Sequence, residues 1–308
     1  MKKFFKKIKL EFFYLRKAFF EYRQGWSYIY YKYIVAPQIL KSNQVLEKPI
    51  NQPDLSIHIL TCHRDLVMTI WSLASFYFKT GISGELIIHN DGSLTETDKK
   101  YLKKFFPSAK VLETANFLRD YADKIDQYPI LKKFRSTYTN FSFKKLVDPY
   151  FVSDKKFRLI VDSDLIWYGP PTEIKDQITD SSNKSLMQSN NSKIYVTFRD
   201  GTKIDDKFAG ANAGIIFYVH NNFNLEKINS FLSKLNVDKP INLQFADQLG
   251  HAFCLDNLEL LSSEVYPIAG KLHEKVVVRH YTSPRRPLFY IEGLKSLNLE
   301  EYGFSKRN

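Results

Sequence analysis

From Leu55 onward the chain alternates short apolar runs with amphipathic stretches. LSIHILTC, beginning at Leu55, has the length and continuous apolarity of a buried strand, and DLVMTIWSLASFYFKTG after it is helical in spacing and stops at Gly81. ELIIHNDG is a second strand that ends in polar Asn90-Asp91-Gly92. LTETDKKYLKKFFPSA is a second helix, with Thr95 placed to cap it, and KVLE is a short third strand. Residues 130–147 are helical in pattern, and FRLIVD is a fourth strand. Strands alternating with helices predict an α/β fold with a mostly parallel sheet flanked by helices. Ligands of such sheets bind at the carboxyl ends of the strands. Here those ends carry Thr61-Cys62-His63-Arg64, Asn90-Asp91-Gly92 and Asp162-Ser163-Asp164.

The first residues follow a different pattern. Phe5, Ile8, Phe12, Leu15, Phe19, Tyr22 and Trp26 step by three and four, so one helix would gather them on a single face, with lysines on its flank and back. Pro49 and Pro53 then mark a linker. The expected organisation is a basic amphipathic N-terminal segment over 1–50 and an α/β domain over 51–308.

Charge sharpens that division. The net charge is +12, and residues 1–41 hold ten Lys/Arg against Glu11 and Glu21, so most of the excess sits in one segment. A helix with an aromatic face and a lysine-rich face suits an anionic membrane surface, here through residues 1–34. Packing of the same face on the protein's own core is the alternative. Basic, aromatic runs also bind single strands, but no RNA-binding signature accompanies this one, and no nucleic-acid partner is expected. No apolar run reaches the roughly 18 residues of a membrane span. A secretory leader's apolar core and cleavage site are also missing. With only Cys62 and Cys254, far apart, neither a disulfide framework nor a cysteine metal site is expected. The expected location is cytoplasmic, peripheral on the inner face of a membrane.

The candidate chemistry lies in FRLIVDSDLIWYGPPTEI, residues 157–174. In an extended segment alternate side chains share a face, so Asp162 and Asp164 would point to one place. Two such carboxylates suit a hard cation, Mn²⁺ or Mg²⁺, which also takes phosphate oxygens. A solvated turn is the plainer reading of the bare D-x-D.

The stretch resembles the D-x-D segment of nucleotide-sugar-dependent glycosyltransferases of the GT-A fold, such as the glycogenin- and galactosyltransferase-like enzymes. The resemblance runs loosely from Leu55 to Gly293. It implies that Asp164 ligates a metal bridging a nucleoside diphosphate, while Asp162 contacts sugar or ribose or shares the ion. SFKKLVDPYF resembles the helix that brings a basic residue to the donor, which implies Lys145, with Lys144 in reserve; a surface lysine pair is the alternative. FAGANAGIIFYVH resembles the strand beside the donor sugar, implying Asn212, Ala213 and Gly214 there, or else a plain core strand. NLQFADQLGHAF resembles the segment whose acid, at a helix start, faces the reacting centre, implying catalytic Asp247 and Gln248; an N-capping or solvated aspartate is the alternative. VVVRHYTSPRRP resembles the last strand and basic loop, implying His280 as third ligand and Arg285 and Arg286 on the leaving phosphates. Its pattern departs from the family's HxxGxxKPW, and His280 could equally be an ordinary strand-end histidine. LTCHRD and HNDGS imply that Thr61, Arg64 and Asp91 meet base or ribose, with His63 either beside them or structural.

The implied activity is metal-dependent transfer of a sugar from a nucleoside-diphosphate donor, UDP before other bases, to a glycan or lipid-linked acceptor. A sugar-phosphate nucleotidyltransferase would also use Mg²⁺ in an α/β fold, but TCHRDLVMT lacks the glycine-rich loop it needs. A non-catalytic, membrane-associated nucleotide-binding protein is the third reading.

Overall fold

A computed structural model of the chain describes residues 2–113, 115–137, 142–180 and 183–303, with the side chains of 2–7 and 142 excepted. Nine strands are described: β1 (Leu55–Thr61), β2 (Glu85–Asn90), β3 (Lys110–Glu113), β4 (Phe157–Val161), β5 (Leu165–Trp167), β6 (Ser185–Ser189), β7 (Ala211–Val219), β8 (Leu258–Leu261) and β9 (Val278–His280). Seven form one sheet in the order β3-β2-β1-β4-β7-β6-β8, and β5 pairs with β9 in a small second sheet. β1 through β4 pair in parallel, β7 runs antiparallel to both β4 and β6, and β8 is parallel to β6. The mixed, mostly parallel sheet expected from the sequence is present.

Every residue of β1, β4 and β7 is buried, because helices cover both faces of the sheet. Alternate residues feed two separate cores. Ile57, Ile59, Leu159, Val161, Ile215 and Phe217 meet the Leu66–Lys79 helix on one face. Ile160, Ile216 and Tyr218 meet the Leu225–Lys234 and Pro240–Cys254 helices on the other. Thr95 caps the Glu96–Phe105 helix in a reciprocal capping box with Asp98. Gly81 takes φ +67 just past the Leu66–Lys79 helix, which is the left-handed turn its position predicts. The helical stretch expected over 130–147 is two helices, Pro129–Thr137 and Ser142–Phe151, tied by a buried Arg135–Asp148 pair with Nε–Oδ1 3.0 Å and Nη2–Oδ2 2.9 Å.

The N-terminal segment is not one helix. Lys2–Arg16 leads into a wider turn over Lys17–Glu21, Arg23 adopts φ 53, and a second helix spans Gly25–Tyr30. Gly25 permits the fold-back, since a Cβ there would lie 2.2 Å from the Phe19 ring. The predicted single stripe divides accordingly. Ile8, Phe12 and Trp26 face outward at 49%, 69% and 77% exposure, and Phe20 joins them at 80%. Leu15 and Tyr22 instead pack against the core that also buries Tyr14, Ala18, Tyr28, Val35, Ala36 and Ile39. Phe5 and Lys2, Lys3, Lys6 and Lys7 carry side chains outside the described set. Among the described residues no helix is long and apolar enough to cross a membrane.

Candidate active site

β4 ends at Val161, and the chain turns through Asp162-Ser163-Asp164 before β5. The D-x-D is therefore a turn, not the extended segment the sequence suggested. Its carboxylates converge because two partners hold the turn. The Asp162 amide donates to the Gly214 carbonyl of β7 at 3.0 Å, and the Tyr281 amide donates to the Asp164 carbonyl at 2.9 Å. Pairing of β5 with β9 sets His280 opposite Leu165, beside Asp164. His280 Nε2 lies 3.1 Å from Asp164 Oδ1 and 3.4 Å from Asp162 Oδ2. One donor atom from each of the three falls within 4.8 Å of the others.

Gln188, which the sequence did not single out, orients the histidine. Its Nε2 donates to the Tyr266 carbonyl at 2.9 Å, which turns Oε1 toward His280 Nδ1 at 2.9 Å. The Nδ1–H donates to Oε1, so Nε2 is left facing two carboxylates. In a neutral ring that nitrogen presents a lone pair to two anions, and a cation between them resolves the repulsion. Two carboxylates and an imidazole fit a divalent ion of the Mn²⁺ or Mg²⁺ kind. Without an ion a proton takes this place. Burial opposes a charge on His280, but Asp164 and Asp162 outweigh it and lift the imidazole to about 9. Burial likewise works to raise Asp162, yet Lys145 and His280 hold its carboxyl well below the usual range.

Gly214 makes this packing possible. A Cβ there would lie 2.2 Å from His280 Nδ1 and 2.4 Å from Gln188 Oε1. Lys145, buried on the Ser142–Phe151 helix, donates to Asp162 Oδ1 at 2.5 Å and to the Ala213 carbonyl. Asn212 Oδ1 accepts from the Gly214 amide at 2.8 Å, while its Nδ2 donates to Asn190 Oδ1 at 2.9 Å and Gln248 Oε1 at 3.2 Å. The Gln248 Nε2 is buried with no protein partner. Asp247 and Gln248 do not start a helix, as expected from the sequence, but lie midway along Pro240–Cys254. Burial pushes the Asp247 carboxyl up to about 6 against the pull of Lys145.

On the β1 side, Arg64 grips the buried Asp65 with Nε–Oδ1 2.9 Å and Nη2–Oδ2 3.0 Å. Arg286 grips the same carboxylate through Nη1 at 2.9 and 3.0 Å, and its Nε reaches Asp164 Oδ2 at 3.2 Å. The two guanidiniums overcome burial and hold Asp65 down at about 2. Asp65 also escaped the sequence reading, although its place one residue after Arg64 was a signal. Thr61 Oγ1 bonds Thr69 Oγ1 at 2.5 Å at the end of β1, and Asp91 Oδ1 accepts from the Ser93 amide at 2.8 Å. His63 turns its ring to Asp98 Oδ2, with Nδ1 at 2.7 Å, while its amide donates to Ser93 Oγ at 2.9 Å and the Ser93 hydroxyl donates to Asp91 Oδ1.

Two clefts result. One of about 430 Å³ is lined by Asn212, Ala213, Gly214, Gln248, His280 and Arg285. The other, of about 360 Å³, is lined by Thr61, Arg64, Asp91 and Lys145. Asp162, Asp164, Asp247 and Arg286 line both. The candidates drawn from seven separate segments thus surround one centre.

No protein-family model and no curated protein matches the chain. Among solved structures it is similar to the bifunctional glycosyltransferase WbbM in its apo form, with TM-score 0.54 and 12% identity. That match covers 84% of this chain and 52% of WbbM, so the chain spans about half the length of that protein. It also aligns with the galactosyltransferase LgtC in complex with donor and acceptor sugar analogues, at TM-score 0.47, 11% identity, 80% of this chain and 94% of LgtC. Mouse xyloside xylosyltransferase 1, apo form, aligns at TM-score 0.47 and 12% identity over 77% of this chain and 99% of its own. The fold of this chain is the GT-A glycosyltransferase fold.

Proposed function

We propose that the chain is a glycosyltransferase. It moves a sugar from a nucleoside-diphosphate donor to a glycan or lipid-linked acceptor at an anionic membrane surface on the cytoplasmic side. The observation that carries this reading is the convergence of Asp162, Asp164 and His280 at a point ringed by Lys145, Arg285 and Arg286. Asp162, Asp164 and His280 hold Mn²⁺ or Mg²⁺, which supplies charge stabilisation for the departing diphosphate. Arg285 and Arg286 add fixed positive charge around the same oxygens. Arg286 must loosen one of its two carboxylate partners to do so.

Thr61, Arg64 and Asp91 meet the nucleoside, for which uridine is the first choice. Asn212, Ala213 and Gly214 lie along the donor sugar, and the unpartnered Gln248 amide offers it a donor. If the reaction inverts, Asp247 takes the acceptor proton; a carboxyl lifted to about 6 is well matched to that task near neutral pH. If it retains, Asp247 and Gln248 stabilise the donor sugar. The outward Phe12, Phe20 and Trp26, with the lysines of the same segment, support attachment to a membrane surface.

A hydrolysis screen over UDP-, GDP- and CDP-sugars with Mn²⁺ tests this reading. One donor should be hydrolysed slowly, and Asp164→Asn should lower that rate by at least about 100-fold. Absence of binding and hydrolysis for every donor would overturn the proposal.

A further inference from the structure

A third cavity, of about 500 Å³, shares Arg64 and Arg286 with the roles above and is otherwise unused by them. It lies between the N-terminal helices and the Leu66–Lys79 helix. Its inner wall is Arg64, Asp65 and Arg286, the same three residues that wall the cleft on the β1 side. Its outer end is apolar: Ile8 and Tyr33 form a rim, 49% and 48% exposed, and Leu10 and Met68 lie further in.

The cavity is built and not a loose gap. Glu11 on the first helix accepts from Tyr28 Oη at 2.9 Å, from Tyr33 Oη at 2.7 Å and from Lys32. These bonds clasp the two N-terminal helices over the space. Tyr14 donates to Ser283 Oγ at 3.3 Å, which ties the same roof to the loop that carries Arg285 and Arg286.

An apolar mouth that leads to guanidiniums selects an amphiphile with an anionic head. Among the residues lining the cavity Lys32, Arg64 and Arg286 outnumber Glu11 and Asp65, although Arg286 also pairs with Asp164 outside it. The volume is within the usual range of a small-molecule site. Ile8 on its rim lies one helical turn from the exposed Phe12, so a lipid chain leaving a bilayer at this segment meets the apolar end first. A head at Arg286 stands beside Asp164, because one guanidinium touches both.

We propose that this cavity binds the phosphate head and adjoining chain of a single-chain lipid phosphate, the carrier of a lipid-linked acceptor. The assignment rests on the transferase reading of the neighbouring clefts, and it narrows the acceptor class. The carrier's chain fills the apolar mouth, its phosphate meets Arg64 and Arg286, and the group it carries is left at the reaction centre.

Calorimetry of the full chain with octyl and decyl phosphate, in the presence of Mn²⁺ and UDP, tests this. Each buried methylene tightens binding about fourfold, so decyl phosphate should bind roughly tenfold or more tighter than octyl phosphate. Decanol and inorganic phosphate should each bind far more weakly. Leu10→Glu should weaken decyl phosphate at least tenfold; should that chain fail to fold, Ile8→Asp on the exposed rim gives the same reading. Affinity independent of chain length, equal affinity for decanol, or a folded variant with unchanged affinity would overturn the proposal. Equal affinity for dihexanoyl phosphatidylglycerol would overturn the choice of a carrier over a bilayer lipid. UDP and Mn²⁺ binding, followed in the same samples, separates the two readings. Alkyl phosphate binding without nucleotide binding supports the cavity's ligand and sinks the transferase. Nucleotide binding without alkyl phosphate binding does the reverse.

Discussion

A methyl group at position 214 tests whether His280 belongs to a metal site. In Gly214→Ala the new carbon would arrive 2.2 Å from His280 Nδ1, 2.4 Å from its Cε1 and 2.4 Å from Gln188 Oε1. Comfortable contacts lie near 3.5 Å, so the neighbours must retreat by more than about 1 Å. The ring has little room to do so. It is 3% exposed, its backbone is paired to Leu165, and Gln188 is held in turn by the Tyr266 carbonyl. Overpacking of this kind costs about 1–3 kcal/mol. For a chain of this size that lowers the melting temperature by roughly 1.5–5 °C. The larger effect falls on the ion. Disturbing a group that orients a ligand costs about 10–100-fold in metal affinity, and moving the ligand itself costs no less. Mn²⁺ titration followed by the spin-resonance signal of the free ion, with thermal unfolding in parallel, reads both quantities. Gly210→Ala is the control, since a Cβ there meets only Leu260 Cδ1 at 3.5 Å. A variant that melts lower yet binds Mn²⁺ within twofold of the parent would refute His280 as a ligand.

Three further outcomes are expected. Asp247→Asn should lower kcat by about 10²–10⁴-fold if the residue is the general base, and the decline in rate below pH about 6 expected of the parent should vanish with it. His251 is buried and its imidazole is pushed down to about 3, so as pH falls below about 6.5 only the unfolded chain takes up that proton. The folded state therefore loses about 2 kcal/mol on this residue by pH 5, and urea unfolding of His251→Gln should fall less steeply between pH 7 and 5; parallel curves would show that His251 is not held neutral. Phe12→Glu, Phe20→Glu and Trp26→Glu together should abolish sedimentation with anionic vesicles and leave the melting temperature within a few degrees, because all three rings face outward. Retained sedimentation would remove the membrane reading.

The parallel half of the fold was legible because its strands are continuous apolar runs punctuated by glycine and proline. β1, β2, β3 and β4 lie where those runs predict. β9 lies within VVVRH, where the resemblance put the last strand, whereas β5, β6 and β8 are short, three to five residues each, and carry no periodicity of their own. Their positions depend on partners distant in sequence. The D-x-D carboxylates could be named from their spacing, but the reason given, an extended strand, was wrong. A turn held by Gly214 and Tyr281 brings them together. Gln188 and Asn190 escaped notice because polar residues at the end of a short strand look like a loop. Asp65 sat beside a residue already chosen, and its importance lies in a contact with Arg286, 221 positions away. The N-terminal stripe was read as one face because helical spacing carries across the break at Arg23 without interruption.

The pairing of β6 with β7 has a gap: Met187 faces Ile216, but Gln188, the next residue, faces Asn212. Residues 213–215 lie in that gap, and there the Ala213 carbonyl accepts from Lys145 instead of from a strand neighbour. The same slip aims Gln188 at His280. A regular ladder here would be a sturdier sheet and would leave Lys145 and His280 without their supports. Sequence changes that repair the register should therefore be read as losses, however much they raise the melting temperature. A stability screen run on this chain would favour variants in which the centre has been ironed flat.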